Sequence, residues 1–420
     1  MDGKIANYLL NALCITLSAN LMIIPIMAYS FSTFSLTFWI SNILAAPIME
    51  IATILGFLVY FVSILFLPFA KFLGIFLNFF LWILLKIAEL SSLLPGSSIY
   101  IKTPYLSQCI AYYCILFFFF YFEQIKQKIV QHPKLLKAFY TKRRHLLSFW
   151  TRNKRQILAT FLCLCISLSF LLIAFPNNLR IYFVDVGQGD CTLIQTPQNK
   201  TILIDGGGSE FGSFDVGEST LLPYLLDRRI TTIDYMLISH FDSDHIGGLF
   251  SIMQNLKIKH ILITKQGEES ANFTKFLEIV AEKDIEVMVV KKGDYIPVDQ
   301  YSYFEILFPE DELIQENVLN NNSMVAKFHS WNFTMLFTGD IEEKAEERLC
   351  QLYASNNGLE AFALKVAHHG SKTSSTEAFL ECVEPKMAFI GVGEDNHFGH
   401  PDDEVIKRLE TLRCQYLSNG

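Results

Sequence analysis

The strongest constraint on this chain is the contrast between its two halves. Residues 1–176 consist mainly of long apolar runs, with 14 of the 34 Lys and Arg residues but only four of the 42 Asp and Glu residues. Residues 177–420 hold the remainder, so the formal charge is about +10 in the first part and about −18 in the second. One water-soluble core cannot suit both compositions, and we therefore expect a membrane-embedded front and a water-exposed back.

Six apolar runs approach or exceed the length of about 20 residues that a helix needs to cross a bilayer. They cover residues 5–29, 34–50, 51–68, 72–94, 104–122 and 157–175. Pro47 and Glu50 interrupt the region 34–68, so we expect either two helices or one broken pair there. Glu50 either ends a helix at the membrane surface or lines a translocation path.

A basic segment precedes the last of these runs. Residues 123–156 carry ten of the 14 basic residues of the front part and one acid. Short basic loops stay on the cytoplasmic side of a membrane, so the sequence predicts transmembrane helices in 1–122, a cytoplasmic loop at 123–156 and a last transmembrane helix at 157–175. The region from 177 to 420 then lies outside the cytoplasm. The topology is inverted if 123–156 is instead a basic surface helix.

Residues 177–420 alternate short apolar strands with amphipathic helices. The segments IYFVDVG, CTLIQT and TILIDGGG have the character of strands, and the strand IDYMLIS is followed by the helical segment GGLFSIMQNL. The same alternation continues to a last helix in DDEVIKRLET. This order excludes a pure sandwich and a helix bundle, and it predicts layered α/β packing.

Metal-ligating side chains follow several of these strands. The segment ISHFDSDHIGG, directly after IDYMLIS, contains His240, Asp242, Asp244 and His245. Other strand ends carry Asp340 in FTGD, His368 and His369 in KVAHHGS, and His400 in NHFGHP. Imidazole and carboxylate groups suit zinc or manganese. A helix cap explains one Asp but not two His beside two Asp, so the pattern predicts a metal centre.

These motifs resemble the metallo-β-lactamase fold, whose signature H-x-H-x-D-H follows a strand. The series DVGQGDCTLI, ILIDGGG, SHFDSDHIGGL, NNNSMVAKF, FTGD, LKVAHHGSKTSS and GHP is similar, in this order, to the C-terminal domain of the ComEC family of competence proteins. The front half resembles the later helices of that family's competence domain. The resemblance implies a polytopic α-helical membrane domain followed by an αββα four-layer metallo-β-lactamase-like domain at 177–420.

The resemblance also implies two divalent metal ions, manganese or zinc, with magnesium as a further option. One ion would be held by His240, Asp242 and Asp340. The other would be held by Asp244, His245, Asp340 and one of His368 and His369. Asp340 would bridge the ions, and His400 would donate a proton or contact phosphate, so we expect Asp340 and His400 to be catalytic. Asp205 is expected to orient the cluster loop, with Asp185 and Asp190 as supporting residues.

The sequence departs from the fold's usual hydrolases at two points. Asp242 stands where they carry a second His, which makes the site harder and favours manganese or magnesium. Their third-motif His is missing, because His260 and His329 lie in strand or turn segments. Asn322 and Ser323 lie nearer the region where the ComEC family carries its own polar motif. Ser371, Lys372 and Thr373, after the His pair, are candidates for contact with the DNA backbone.

The implied function is DNA uptake at the bacterial plasma (inner) membrane. The helices would contribute to passage of a single strand, and the extracytoplasmic domain would degrade the other strand by phosphodiester hydrolysis. DNA, the membrane and other competence proteins are the expected partners. The family begins with further helices and a soluble domain, so a homo-oligomer or a separate N-terminal partner would complete the channel. The alternatives are a non-catalytic transport component with a relic metal site and a membrane-anchored hydrolase of a small molecule.

Overall fold

A computed structural model describes residues 2–131, 178–208, 214–265, 270–355, 357–394 and 396–419. The chain divides into two compact units, a helical unit near the N-terminus and an α/β unit. The predicted last transmembrane helix, 157–175, lies outside the described residues, as does most of the predicted basic loop, 123–156.

Among the described residues, the helical unit contains four long helices and a short antiparallel pair of strands. The helices are α1 (Asp2–Phe31), α2 (Phe38–Leu65), α3 (Leu67–Ser92) and α4 (Leu106–Gln131), and the strands are β1 (Thr33–Ser35) and β2 (Ser98–Tyr100). Leu13–Phe31, Phe38–Leu65 and Leu67–Ser92 are long and apolar enough to cross a membrane, whereas the apolar part of α4, Leu106–Phe122, is shorter.

Large apolar side chains point outward from these helices. Ile54, Leu65, Ile75 and Phe119, for example, are each about two-thirds exposed or more. Apolar surface on this scale is unfavourable in water and favourable in lipid. The unit therefore has the surface of a membrane protein, as its sequence predicts.

The expected break between residues 34 and 68 is wrong in position. Helix α2 continues through Pro47 and Glu50, and the chain turns instead at Phe66, two residues before Pro68 in the first turn of α3. Pro47 removes only the hydrogen bond to the carbonyl of Ile43, whereas a full break would leave several backbone groups unpaired in an apolar medium. Similarly, residues 123–131 of the predicted basic loop extend helix α4.

The α/β unit contains two sheets. The six-stranded sheet runs in the order β3 (Arg180–Phe183), β4 (Thr192–Gln195), β5 (Thr201–Ile204), β6 (Thr232–Leu237), β7 (Lys257–Ile263) and β8 (Glu286–Val289). The seven-stranded sheet runs in sequence order from β9 (Tyr295–Pro297) through β10 (Ser302–Phe308), β11 (Val325–Ser330), β12 (Phe333–Phe337), β13 (Ala363–Lys365) and β14 (Met387–Ile390) to β15 (Gln415–Ser418). Each sheet is antiparallel up to its third or fourth strand and parallel thereafter.

Helices connect the strands of both sheets among the described residues. They are α5 (Leu222–Asp227), α6 (Ser243–Ile246), α7 (Leu249–Asn255), α8 (Ala271–Lys283), α9 (Val318–Asn321), α10 (Glu343–Tyr353), α11 (Glu377–Val383) and α12 (Asp403–Thr411). Between the sheets, Ile202 and Leu237 share one core with Phe304 and Phe328. A second core joins the other face of the seven-stranded sheet to α10, α11 and α12. The predicted αββα packing is confirmed.

The central strands place the predicted metal ligands at one edge of this sandwich. Strand β6 ends in the segment ISHFDSDHIGG, and β12, β13 and β14 are neighbouring parallel strands that end before Asp340, His368 and the loop to His400. Because the carboxyl ends of parallel strands meet at the same edge of a sheet, these loops converge although they are far apart in sequence.

Candidate metal centre

His245 is held between two buried carboxylates. Its Nδ1 lies 2.9 Å from Oδ2 of Asp205, and its Nε2 lies 3.1 Å from Oδ1 of Asp340. Asp205 also accepts a hydrogen bond from the backbone N–H of Ser239, at 2.8 Å. These contacts fix the ring of His245 with Nε2 toward Asp340, which agrees with an orienting role for Asp205.

His369 occupies the corresponding position on the other sheet. Its Nδ1 donates to the carbonyl of Gly391 at 2.8 Å, and its Nε2 lies 3.1 Å from Asp244 and 3.3 Å from Asp340. One ligand atom from each of Asp244, His245, Asp340 and His369 lies within 4.8 Å of the others. We refer to these four residues as the ligand cluster.

His240 and Asp242 lie beside the ligand cluster rather than within it. The ring of His240 is buried 4.1 Å from that of His245, between centroids, and its Nε2 lies 3.4 Å from Oδ2 of Asp242. The Asp242 side chain is 37% exposed. This pair is therefore a weaker candidate for a second metal position.

The two neighbouring histidines of the His pair have different environments. His369 is buried in the ligand cluster, whereas the His368 side chain is 23% exposed, with Nε2 3.9 Å from Asp340 and Nδ1 3.6 Å from Glu342. His400 lies further out, with its ring centroid 6.0 Å from that of His368. Nδ1 of His400 is buried without a hydrogen-bond partner. The structure thus favours His369 over His368 as the inner ligand.

Glycine residues let three loops pack against one another around the cluster. A Cβ atom at Gly189, whose φ is +121°, would lie 2.2 Å from the carbonyl oxygen of Asp244. At Gly208 a Cβ would lie 1.9 Å from the carbonyl oxygen of Ser243. Gly189 of DVGQGD and Gly208 of IDGGG are thus required by close backbone approach.

A buried ion pair contacts His369 of the ligand cluster. Nζ of Lys365 lies 2.6 Å from Oδ2 of Asp190, and Oδ1 of Asp190 lies 3.3 Å from Nδ1 of His369. These contacts agree with the supporting role expected for Asp190, whereas Asp185 accepts the N–H of Gly187 in its own turn. Sequence reasoning missed Lys365, although a lone charge in the apolar strand FALKVA was the available signal.

The remaining candidates have structural contacts. His260 pairs with Glu286 on neighbouring strands, and His329 stacks on Tyr303, so neither joins the cluster. Asn322 binds the backbone of Ile314 and Val318. Ser323 accepts the N–H of Asp340 at 3.3 Å. Of Ser371, Lys372 and Thr373, the last two are exposed.

The charges of the cluster call for a cation. Burial lowers the pKa of His245 and of His369, but nearby carboxylates outweigh burial and raise the pKa of each well above its usual value. For His245 these carboxylates are those of Asp340 and Asp205, and for His369 they are those of Asp340 and Asp190. Although burial raises the pKa of Asp340, the two imidazolium groups hold it well below its usual range. These carboxylates thus favour positive charge at this point, which a divalent ion supplies while the imidazoles stay neutral.

The donor set also fits a divalent metal by its geometry. Nε2 of His240, His245 and His369 and Oδ1 of Asp340 are buried without hydrogen-bond partners. Buried polar atoms without partners are rare unless an ion or a water satisfies them. Nitrogen and oxygen donors without sulfur suit zinc or manganese. The fold and this cluster indicate divalent metal binding.

The fold and the cluster define a metallo-β-lactamase-like protein. Residues 184–393 match the family model described as "Metallo-beta-lactamase superfamily", and the chain therefore belongs to that superfamily. Residues 2–126 match the model described as "Competence protein".

Curated competence and recombination proteins resemble part of this chain. The chain is 29% identical to "ComE operon protein 3" of Bacillus subtilis over 286 residues, which is 65% of this chain and 36% of that protein. It is 31% identical to "Recombination protein 2" of Haemophilus influenzae (55% and 26%) and 28% identical to "Competence protein ComA" of Neisseria gonorrhoeae (58% and 31%). The resemblance to the ComEC family is confirmed, although the matches cover only about a third of these relatives' lengths.

Proposed function

We propose that the chain is a DNA-uptake protein in which the helical unit contributes to single-strand passage and the α/β unit degrades the strand that is not imported. The observation that carries the proposal is the convergence of the ligand cluster in a chain that also matches the competence-protein model. The exposed apolar surface of the helical unit is consistent with its proposed role in passing a strand through the membrane.

The reaction would be metal-dependent hydrolysis of a phosphodiester. A divalent ion at Asp244, His245, Asp340 and His369 would supply Lewis-acid activation of water and phosphate. Asp205 and Asp190 hold the two imidazoles in the orientation that binding requires. Asp340 contacts both imidazoles and is central to the arrangement.

His400 is the candidate proton donor to the leaving oxygen. Burial and the charges of His368 and His369 lower its pKa, which disfavours the protonated form that a donor needs, so contact with phosphate is the alternative role of this ring. Its Nδ1 is buried without a hydrogen-bond partner among the described residues, and a substrate group would supply one. Lys372, exposed after the His pair, would contact the DNA backbone as a point charge.

The metal ions would be manganese or zinc, with magnesium as a further option. The ligand cluster offers one compact position. His240, Asp242 and Asp340 would form the second and weaker one, because Asp242 is the most exposed of these groups. An additional carboxylate makes that second position harder and favours manganese or magnesium.

The basic segment 123–156 favours the cytoplasm, which would place the α/β unit outside the inner membrane, where the discarded strand must be cut. The acidic charge of this unit disfavours tight independent binding of DNA, so other competence proteins would deliver the DNA.

A non-catalytic transport role is the second candidate. It is favoured by the absence of a third-motif His, since Ser323 lies at the Asp340 backbone and His260 and His329 lie elsewhere among the described residues. In that case the cluster would bind metal for stability alone.

A nuclease assay separates the two roles. The full chain in detergent is stripped with a chelator, given manganese, zinc or magnesium, and mixed with single- and double-stranded DNA. Hydrolysis is expected to need metal and to fall at least about a hundredfold in Asp340→Asn. Asp311→Asn, a matched change at an exposed carboxylate paired with Lys291, should retain activity. Metal-bound, folded protein that cuts no DNA would support the transport role.

A further inference from the structure

We propose that Phe398 is a stacking platform for an unpaired nucleobase at the rim of the metal centre, so that the substrate is single-stranded DNA. The inference rests on the proposed hydrolase function and adds the substrate class to it. Phe398 belongs to the segment NHFGHP between β14 and α12, and its side chain is 54% exposed. A large exposed aromatic ring beside a polar centre suggests that a ligand binds against the ring.

Three successive contacts connect Phe398 to the ligand cluster. Its ring is nearly parallel to that of His400, at an interplanar angle of 14° and a centroid separation of 5.9 Å. The His400 ring lies 6.0 Å from that of His368, and His368 lies 3.9 Å from the Asp340 carboxylate. A strand bound through a phosphate at the cluster would therefore pass the exposed ring of Phe398 within a few nucleotides.

The segment that carries Phe398 is held in place by Asn396. The side-chain amide of Asn396 donates to the carbonyls of Gly393 and His400, at 3.0 and 2.6 Å, and its oxygen accepts the N–H of His400 at 3.0 Å. Gly399 makes the turn between Phe398 and His400 with φ at +70°. A ring fixed in advance loses little entropy on binding, so it contributes more to affinity.

Exposure alone does not distinguish Phe398. Trp331 and Phe362 are comparably exposed, but their rings contact Tyr301 and Phe333. Phe398 instead contacts His400, the candidate proton donor. It thus combines an accessible aromatic face with proximity to the proposed chemistry.

Charge gives a second reason for a base contact. The acidic half of the chain, at about −18, repels the phosphate backbone. Stacking on an aromatic ring binds any base without using charge, and it requires that the base be unpaired and unstacked from its neighbours. Bases inside a duplex do not meet this condition, so Phe398 favours single strands or frayed ends.

The test compares two oligonucleotides with the same backbone. One is a single-stranded oligothymidylate, and the other carries abasic sites in place of its thymines. Affinity is measured by fluorescence anisotropy on the full chain in detergent, and manganese-dependent cleavage is measured separately. The variants are Phe398→Ala, Phe398→Trp as the conservative change, and Phe362→Ala as the matched control at another exposed Phe.

Phe398→Ala is expected to weaken binding of oligothymidylate about tenfold and to raise its KM similarly, while affinity for the abasic strand stays unchanged. Phe398→Trp and Phe362→Ala should behave as wild type. Equal loss for both strands, or no loss, would overturn the platform. If wild type binds in a base-dependent way but cleaves nothing, Phe398 is a stacking platform and the hydrolase function is wrong. If the chain cleaves DNA and Phe398→Ala leaves binding and cleavage unchanged, the hydrolase function stands and the stacking platform is wrong.

Discussion

The ammonium group of Lys365 lies 2.6 Å from the carboxylate of Asp190, and both side chains are almost fully buried beneath the ligand cluster. The pair formed by Lys259 and Asp234 has the same 2.6 Å separation, but the Lys259 side chain is 43% exposed. The two pairs differ in burial and not in distance, which makes them a matched comparison.

Lys365→Met is expected to lower the free energy of unfolding by about 3 kcal/mol, because it removes the closest partner of the buried Asp190 charge and leaves His369, at 3.3 Å, as the remaining ion-pair partner. Lys259→Met should cost less than about 1 kcal/mol, since water screens the exposed pair. Equilibrium urea unfolding of the detergent-solubilised chain, followed by near-UV circular dichroism, measures both.

A double variant provides the control for this explanation. Lys365→Met combined with Asp190→Asn removes both charges and should recover part of the lost stability. Equal costs for Lys365→Met and Lys259→Met would contradict the role of burial. A double variant no more stable than Lys365→Met would show that packing, and not charge, dominates.

The positions of the metal ligands could be predicted because apolar strands fix where the chain leaves a sheet. The strands before His240 and Asp340 were both recognisable from their residues. The carboxyl ends of β12 and β13 meet at one edge because these strands are parallel neighbours, whereas β6 lies in the other sheet. The orienting role of Asp205 followed from the motif series in the same way.

The sequence could not decide between His368 and His369. Both residues have positive φ angles, of 51° and 54°, so neither strand nor helix periodicity predicts where their side chains point. The contacts of His369 with Gly391 and Asp190, on other loops, settle its orientation. The partner of Lys365 could not be predicted either, because Asp190 belongs to a loop of the other sheet.

The two acids of the segment FDSDH are expected to contribute unequally to metal binding. Asp244 lies 3.1 Å from His369 inside the cluster, whereas Asp242 is more exposed and lies 3.4 Å from His240. Asp244→Asn should weaken the tighter of two manganese sites at least about a hundredfold, by analogy with the cost of losing supporting groups. Asp242→Asn should leave that site within about threefold and weaken the second.

Isothermal titration calorimetry of the chelator-stripped chain with manganese measures the affinity of both sites. The two variants are matched, since each changes one Asp to Asn within the same turn. Equal weakening of the tight site by both would place Asp242 inside the cluster. Loss of all binding in Asp242→Asn alone would reverse the assignment of the two positions.

Glu346 links α10 to the segment that follows the His pair. Its buried carboxylate accepts the backbone N–H groups of Ser375 and Thr376, the latter at 2.8 Å, and Arg408 donates to the carbonyls of Ser374 and Ser375. Burial raises the pKa of Glu346 from 4.5 to about 7, against the opposing effect of these N–H groups and of Arg408.

This raised pKa predicts a stability that decreases as pH rises. Below about pH 4.5 the carboxyl is protonated in both states, and its stabilising contribution is fully present. Between about pH 4.5 and 7 the unfolded chain releases the proton and the folded chain keeps it, so the free energy of unfolding falls by up to about 3 kcal/mol. Above pH 7 no further loss from this group is expected.

Glu346→Gln removes the titrating group and should flatten this decline, whereas Glu347→Gln, at the exposed neighbour on α10, should preserve it. Urea unfolding at intervals from pH 4 to 8 gives the difference between wild type and each variant, so that other titrating groups cancel. Parallel curves for wild type and Glu346→Gln would mean that the carboxyl is ionised in the folded state throughout, with its backbone hydrogen bonds outweighing burial.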